Sequence, residues 1–295
     1  MPRPLLPPHV GFVFLPPPPI GHGMRIQIDV AMTYRFPNPN TVFLALEAAH
    51  APGQVIAYES LLIGDADISR INGDSDVGQR VFARVPGYEM LLNYSALLDI
   101  TRPRIALDGL DAAPWHLLPS EVVPYLRPSR YCQSDKFVSF VSKRFGGLSG
   151  GQKVAAIRDW IEANLSYVPG SSDTDTNVLE TFAGRQGVCR DYAHLMCSMV
   201  RAAQIPARMV AAYSPFVTPQ DFHAVAEVWL SGAWHLVDAT GMCHADDMAI
   251  ISVGRDAYDI AFMESQAPAE LWFQSVWVQQ VPDPVAPCDG PNIDM

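Results

Sequence analysis

Three residues in the second half of the chain have side chains that can carry out thiol chemistry together: Cys189, His223 and Asp238. A thiol reacts as a thiolate, so it needs a base that takes its proton and a group that orients the base. Cys189 stands at the predicted start of a helix, where unpaired backbone N–H groups and the helix dipole stabilise a thiolate. The residue types suggest a nucleophile, a base and an orienting carboxylate.

His223 begins one predicted strand and Asp238 ends the next, with Ser231-Gly232 between the two strands. If these two residues form the whole loop of a hairpin, Val225 faces Asp238 across the strands. His223 then becomes a diagonal neighbour of Asp238, about 7 to 8 Å away at the backbone. A three-residue loop would place the two side chains on opposite faces of the sheet. The Ser-Gly dipeptide favours the shorter loop and the closer pair.

Each of the three residues also has an ordinary structural role open to it. Cys189 lies on the apolar stripe of its helix, and free cysteine is among the most buried residue types. A single His223 is more often a hydrogen-bonded structural histidine, and a single Asp238 a strand-end residue. The spacing alone leaves the structural and the catalytic interpretations open.

The elements that must position these residues change in type along the chain. Residues 25–35 alternate polar and apolar side chains, and further short runs follow near residues 42–46, 55–62, 77–85 and 88–98. This pattern predicts an antiparallel β-sandwich. After residue 120, apolar residues recur at helical spacing around 137–141 and 154–165, then from about 188 to 203, where Pro206 ends the third helix.

We therefore expect four parts in an α+β chain: a Pro-rich leader (1–23), an N-terminal β-sandwich (24–120), an α+β domain (121–280) and a loose tail (281–295). The leader contains eight of the 26 prolines. Met24 opens the first strand directly after it, and we expect the natural start there; the mass of the protein made from its native gene tests this expectation.

Composition narrows the function classes. The 295 residues are 49% apolar and 17% charged, a composition that argues against disorder. The net charge of −11 argues against nucleic-acid partners. No apolar run approaches the length of a membrane span. Five scattered cysteines, an odd number without a C-x-x-C pair, disfavour disulfides and structural zinc. We expect a cytoplasmic protein without membrane partners.

The remaining candidates are weaker. His194 lies about 140° around the helix from Cys189 and is expected to be a structural or surface histidine. Asp191 suits the first turn of a helix because its charge complements the dipole. Cys243-His244 lacks the ligand spacing of a zinc site, so we expect a polar loop there. The sequence therefore predicts no metal site and no cofactor.

A resemblance covers roughly residues 125 to 265. Residues 185–195 (RQGVCRDYAHL) resemble the core motif of the transglutaminase-like superfamily, and residues 201–208 resemble the end of that family's cysteine helix and its following strand. Residues 221–230 resemble the histidine strand, and residues 232–240 the aspartate strand. The order Cys, His, Asp also fits, and the preceding β region resembles that of bacterial members with cysteine protease descriptions.

The resemblance implies a papain-like arrangement on an α+β core. Cys189 would be the nucleophile, His223 the general base and then acid, and Asp238 the orienting group. The backbone N–H of Cys189 should contribute to an oxyanion hole, with Tyr167 or Gln186 as the candidate side-chain donor.

We expect a thiol-dependent hydrolase, a cysteine protease or amidase, acting on a peptide or protein through a thioester. The alternatives are a transglutaminase that transfers the acyl group to an amine and a non-enzymatic binding module that retains the triad. The family includes hydrolases, transamidases and members that have lost activity, and the fold alone does not choose among these functions. Neither the substrate nor the oligomeric state follows from the sequence.

Overall fold

Alternating burial shows why the N-terminal part forms strands. The computed structural model describes residues 23–282, so the expected leader and tail lie almost entirely outside the described residues. In the first strand, Ile26, Ile28, Val30 and Met32 are buried while their neighbours face outward. The strands of this part are β1 (Met24–Arg35), β2 (Asn40–Leu44), β3 (Gln54–Ile63), β4 (Asp67–Asn72), β5 (Gln79–Val85) and β6 (Glu89–Ile100).

The rest of the chain contains the four α-helices of the described residues and eight further strands. The helices are α1 (Val138–Phe145), α2 (Gly150–Asn164), α3 (Val178–Gly184) and α4 (Cys189–Ala202). The strands are β7 (Ser166–Tyr167), β8 (Gln186–Gly187), β9 (Ala207–Tyr213), β10 (His223–Leu230), β11 (Ala233–Val237), β12 (Ala249–Gly254), β13 (Met263–Ser265) and β14 (Glu270–Val281). The expected α+β class, with an antiparallel β region first, is confirmed.

The N-terminal strands belong to two antiparallel four-stranded sheets, in the orders β14-β1-β6-β3 and β13-β2-β5-β4. The buried faces of both sheets contribute to one apolar core. Strand β4 was absent from the sequence prediction because it has no buried residue, so its side chains show no alternation.

The last two strands correct the expected extent of the second domain. We expected residues 121–280 to form one unit, but β13 pairs with β2, and β14 pairs with β1 along nearly its whole length. Val276 and Val278 of β14 are buried in the core of the first sheet. The chain therefore returns to the N-terminal sheets after it has formed the second part.

Helix α4 lies at the centre of the second part. It packs on β9 and β10 of the sheet β11-β10-β9-β12, and α1, α2 and α3 also contact it. Residues 191–202 of this helix are all buried. A helix that is enclosed on every side holds its N-terminus, where Cys189 lies, in a fixed position relative to β10.

The two parts of the fold are joined by buried hydrogen bonds. The Gln54 amide of β3 donates to the Ile250 carbonyl at 3.0 Å and accepts from the Ile250 N–H at 2.8 Å. The Tyr213 hydroxyl of β9 donates to the Leu46 carbonyl at 2.7 Å.

Across residues 23–282, no helix combines the length and the apolar character that a membrane span needs.

Candidate active site

Cys189 is the first residue of α4 and the most accessible thiol in residues 23–282. Its side chain is partly exposed, whereas Cys132, Cys197 and Cys243 are buried. Burial raises the pKa of Cys132 to about 11, and burial also raises the pKa of Cys197. Buried thiols of this kind stay protonated and inert, so accessibility separates Cys189 from them.

The helix N-terminus is built around Asp191, which is fully buried. Its carboxylate accepts hydrogen bonds from the Val188 N–H at 2.8 Å and from the Ser172 hydroxyl at 2.6 Å. A side chain at Gly187 would collide with Asp191, since a Cβ there would lie 2.6 Å from the Asp191 Cβ. Asp191 thus stabilises the first turn of the helix, as expected from the sequence. The close approach of the backbone to its side chain requires glycine at position 187.

The β10–β11 hairpin has the two-residue loop that the Ser-Gly dipeptide favoured. Leu230 pairs with Ala233, and Ser231 and Gly232 both have positive φ, as the tight hairpin turn requires. This register leaves His223 and the residue after β11, Asp238, on the same face of the sheet.

His223 and Asp238 form a buried pair. His223 Nε2 and Asp238 Oδ2 are 2.8 Å apart, and the exposed fractions of the two side chains are 0% and 1%. The other carboxylate oxygen of Asp238 accepts from the Thr240 N–H and from its hydroxyl, at 2.8 and 2.7 Å. The carboxylate is therefore held in place while one oxygen faces the imidazole.

The electrostatics of the pair favour the ionic form. Burial alone would lower the pKa of His223, but the hydrogen bond to Asp238 and interactions with two thiols raise it well above its usual value. Burial alone would raise the pKa of Asp238, but His223 and Thr240 together lower it. An imidazolium can therefore persist here beside a carboxylate.

The side chain of Cys189 lies beside the same imidazole and is one of the two thiols that interact with it. His223 Nδ1 is buried and has no conventional hydrogen-bond partner among the described residues. Because Nε2 faces Asp238, Nδ1 is the ring nitrogen left for a proton from a thiol. The structure thus brings Cys189, His223 and Asp238 together.

Of the two candidate oxyanion donors, the structure brings one to Cys189. Tyr167 lies on β7, which pairs with β8, and its hydroxyl interacts with the backbone N–H and the side chain of Cys189. Burial and the neighbouring Cys189 raise the pKa of Tyr167 to about 12, so its hydroxyl is protonated at neutral pH. Gln186 is exposed, and no hydrogen bond in the described part of the chain connects it with Cys189.

Sequence reasoning placed Cys243 in a polar loop and missed its position beside the His223–Asp238 pair. It is buried, and its backbone N–H donates to Asp238 Oδ2 at 3.0 Å. Its thiol is the second one that interacts with His223. Ligand atoms of His223, Asp238 and Cys243 all lie within 4.8 Å of one another. No spacing rule reveals this proximity, since it depends on the loop after β11.

The other candidates have structural roles. His194 is buried, accepts the Ala257 N–H at 3.1 Å and stacks on Tyr131 with ring centroids 5.2 Å apart. His244 and Asp247 form the expected polar loop, in which the Asp247 carboxylate accepts the His244 N–H at 3.0 Å.

A cavity of about 630 Å³ opens beside the His223–Asp238 pair. Its wall includes Asp238 and Cys243, together with Glu162 and His244. The cavity therefore lies on the Asp238 side of the pair.

Comparison with known proteins adds a family match and a close structural relative. Residues 140–239 match the model of the transglutaminase-like superfamily. The crystal structure of a putative cysteine protease from Cytophaga hutchinsonii is 32% identical and superposes with a TM-score of 0.83. The match covers 90% of this chain and 94% of that one.

A second relative is an uncharacterized protein of Mycobacterium leprae, 28% identical over 146 residues. That match covers 46% of this chain and 52% of the relative, so the chain spans about half the length of the curated relative. The matched family region includes Cys189, His223 and Asp238.

Proposed function

Because the chain belongs to the transglutaminase-like superfamily, we propose that it is a thiol-dependent hydrolase that cleaves an amide bond through a thioester. Cys189 is the nucleophile, His223 the general base and acid, and Asp238 the group that orients the imidazole. The observation that carries the proposal is the buried His223–Asp238 hydrogen bond of 2.8 Å beside a partly exposed thiol at a helix N-terminus.

The proposed reaction has two halves. The Cys189 thiolate attacks the carbonyl carbon, a C–S bond forms, and His223 gives its proton to the leaving nitrogen as the C–N bond breaks. In the second half, His223 takes a proton from water, the hydroxide oxygen bonds to the carbonyl carbon, and the thiolate leaves. Asp238 favours the imidazolium that is present at the start of each turnover.

The proposed oxyanion hole has two donors. The N–H of the first helical residue has no acceptor within its own helix. The Cys189 N–H contacts the Tyr167 hydroxyl in the free protein, and an oxyanion would take the place of that contact. The protonated Tyr167 hydroxyl, which interacts with the same N–H and thiol, supplies the second donor. Removal of one such donor from a hydrolase costs about 10² to 10³ in turnover.

We propose hydrolysis rather than transamidation because water reaches any open thioester, whereas transfer to an amine needs a second binding site. A peptide or protein is the proposed substrate class. We also propose a cytoplasmic location, which the four free thiols in residues 23–282 support.

The proposal is tested with a panel of peptide amides and thioesters, with intact-mass detection of the acyl-enzyme. The wild-type protein should gain the mass of the acyl group and then lose it to water, and Cys189→Ser should show no thioester. Release of an amine conjugate in preference to the acid would make the protein a transglutaminase. A wild-type protein that forms no adduct, and in which iodoacetamide labels Cys189 no faster than other thiols, would be a binding module.

A further inference from the structure

We propose that His223, Asp238 and Cys243 form a binding site for a zinc-type divalent cation, and that the bound ion switches the proposed enzyme off. One ligand atom from each of these residues lies within 4.8 Å of the other two. All three residues are buried, at 1%, 7% and 3% exposure. The site lies beside the nucleophile and does not include it.

The donor set suits zinc. An imidazole nitrogen, a carboxylate oxygen and a thiolate sulfur are the ligand types that Zn²⁺ prefers, and three protein ligands leave a fourth position open. The contacts among these residues converge on Asp238 Oδ2, which lies 2.8 Å from His223 Nε2 and accepts the Cys243 N–H at 3.0 Å.

Hydrogen bonds from Thr240 and Cys243 already orient the Asp238 carboxylate. Thr240 holds one oxygen of Asp238 through its N–H and hydroxyl, and the Cys243 N–H holds the other at 3.0 Å. Such contacts around a ligand raise metal affinity, because they fix the ligand before the ion arrives. Cys243 thus contributes in two ways, through its backbone to Asp238 and through its sulfur to the ion.

The cavity of about 630 Å³ lies directly beside this cluster, since Asp238 and Cys243 form part of its wall. Glu162, another residue of this wall, adds a negative charge that attracts a cation. Arg104 and Arg158 also line the cavity, but each guanidinium pairs with a carboxylate, Asp246 and Asp159 respectively.

The switching effect rests on the proposed function. When the ion binds, the Cys243 thiol loses its proton to solvent, and one nitrogen of His223 donates its lone pair to the metal. If that nitrogen is Nδ1, it no longer accepts the Cys189 proton. If that nitrogen is Nε2, the proton that faced Asp238 leaves and the remaining ring proton lies on Nδ1. Nδ1 then cannot accept the Cys189 proton either.

The site is tested with cobalt(II) as the probe, in titrations of the full chain. Cobalt bound by a thiolate shows a near-ultraviolet charge-transfer band, and tetrahedral cobalt shows visible d–d bands. Wild-type protein and Cys189→Ser should show both, and zinc should displace the cobalt at one equivalent. Cys243→Ser should lose the charge-transfer band, with a dissociation constant raised at least about tenfold.

Cys197→Ser is the matched control, because Cys197 is a buried thiol of α4 outside this site, and it should titrate like the wild type. If Cys243→Ser does not fold, Asp238→Asn takes its place; it should keep the charge-transfer band and bind cobalt at least about tenfold more weakly. A band that persists in Cys243→Ser, a band lost in Cys189→Ser, or unchanged affinity in Asp238→Asn would overturn the site.

The switch has its own readout. One equivalent of zinc should reduce the turnover of the wild-type protein at least about tenfold, and a chelator should restore it. An active enzyme that binds cobalt with the expected spectrum but keeps its rate with zinc would overturn the switch. The spectra decide the metal site even when no substrate is turned over, so failure of the site and failure of the hydrolase proposal are distinguishable.

Discussion

Cys189 differs from the other described thiols in its exposure and in its neighbours. It lies at the first position of α4, beside the His223 imidazole and the Tyr167 hydroxyl. The three other described cysteines are at most 3% exposed. At the scale of single residues, the site therefore depends on which thiol is accessible and which charges surround the imidazole.

Replacement of the nucleophile is the first prediction. Cys189→Ser should fold normally, because the two side chains have similar volumes, and should lose nearly all activity because a hydroxyl is far less acidic than a thiol. Turnover and far-UV circular dichroism measure the two effects. Cys197→Ser should retain activity; more than a few per cent of activity in Cys189→Ser would remove Cys189 from the nucleophile role.

The second prediction concerns Asp238, tested in a buffer that contains a chelator. Asp238→Asn removes the charge that favours the imidazolium, so the thiolate–imidazolium pair becomes less stable. The pH midpoint of Cys189 alkylation should move upward, and kcat should fall by about 10 to 10⁴. Unchanged circular dichroism separates this loss from unfolding. An alkylation profile identical to that of the wild type would reduce Asp238 to a structural residue.

At the scale of elements, α4 is held in place by contacts that its sequence does not reveal. His194 connects the helix to the loop at Ala257 and stacks on Tyr131. Burial lowers the pKa of His194 to about 3, with Arg190 and Arg201 adding to the effect. The folded protein therefore binds a proton at His194 only at a much lower pH than the unfolded chain does.

The third prediction follows from the sign of this shift. The unfolded chain protonates His194 near pH 6.5 and the folded chain only near pH 3, so stability is present above pH 6.5 and lost as the pH falls towards 3. Between pH 7 and 5.5 the wild type should lose about 1 kcal/mol more unfolding free energy than His194→Gln. Urea unfolding at the two pH values measures it; equal losses would contradict the assigned cause.

At the scale of the whole molecule, the chain begins and ends in the same sheet. Strand β14 pairs with β1, and the residues of the candidate site lie between these two strands in sequence. Gln54 and Ile250 add a buried connection between the two parts. We therefore expect the two parts to unfold together.

The fourth prediction tests this coupling with neighbouring residues of β14. Val278→Asp buries an unpaired carboxylate in the core and should cost about 3 kcal/mol or more, whereas Gln279→Asp, at an exposed position, should stay within about 0.5 kcal/mol of the wild type. Circular dichroism and alkylation of buried Cys197 should report one shared transition in urea. Two separate transitions would show that the parts unfold independently.

Local patterns in the sequence predicted the elements that carry the candidate residues. The positions of Cys189 at a helix start and of His223 on the face of Asp238 follow from short-range rules, because helix signals and a two-residue loop act over only a few residues. The same rules predicted β1 from its alternation. They missed β4, which has no buried face, and α3, whose seven residues are too short for a periodic pattern. They also missed the three strands after β11, namely β12, β13 and β14.

Only the tertiary structure decided which distant residues meet at the site. The contact of Cys243 with His223 and Asp238 depends on how an irregular loop folds back, and the position of Tyr167 on the pairing of two very short strands. The return of β14 to β1 joins residues about 250 positions apart. Spacing along the chain carries no signal for such contacts, because they form only when the packing of the whole core brings the segments together.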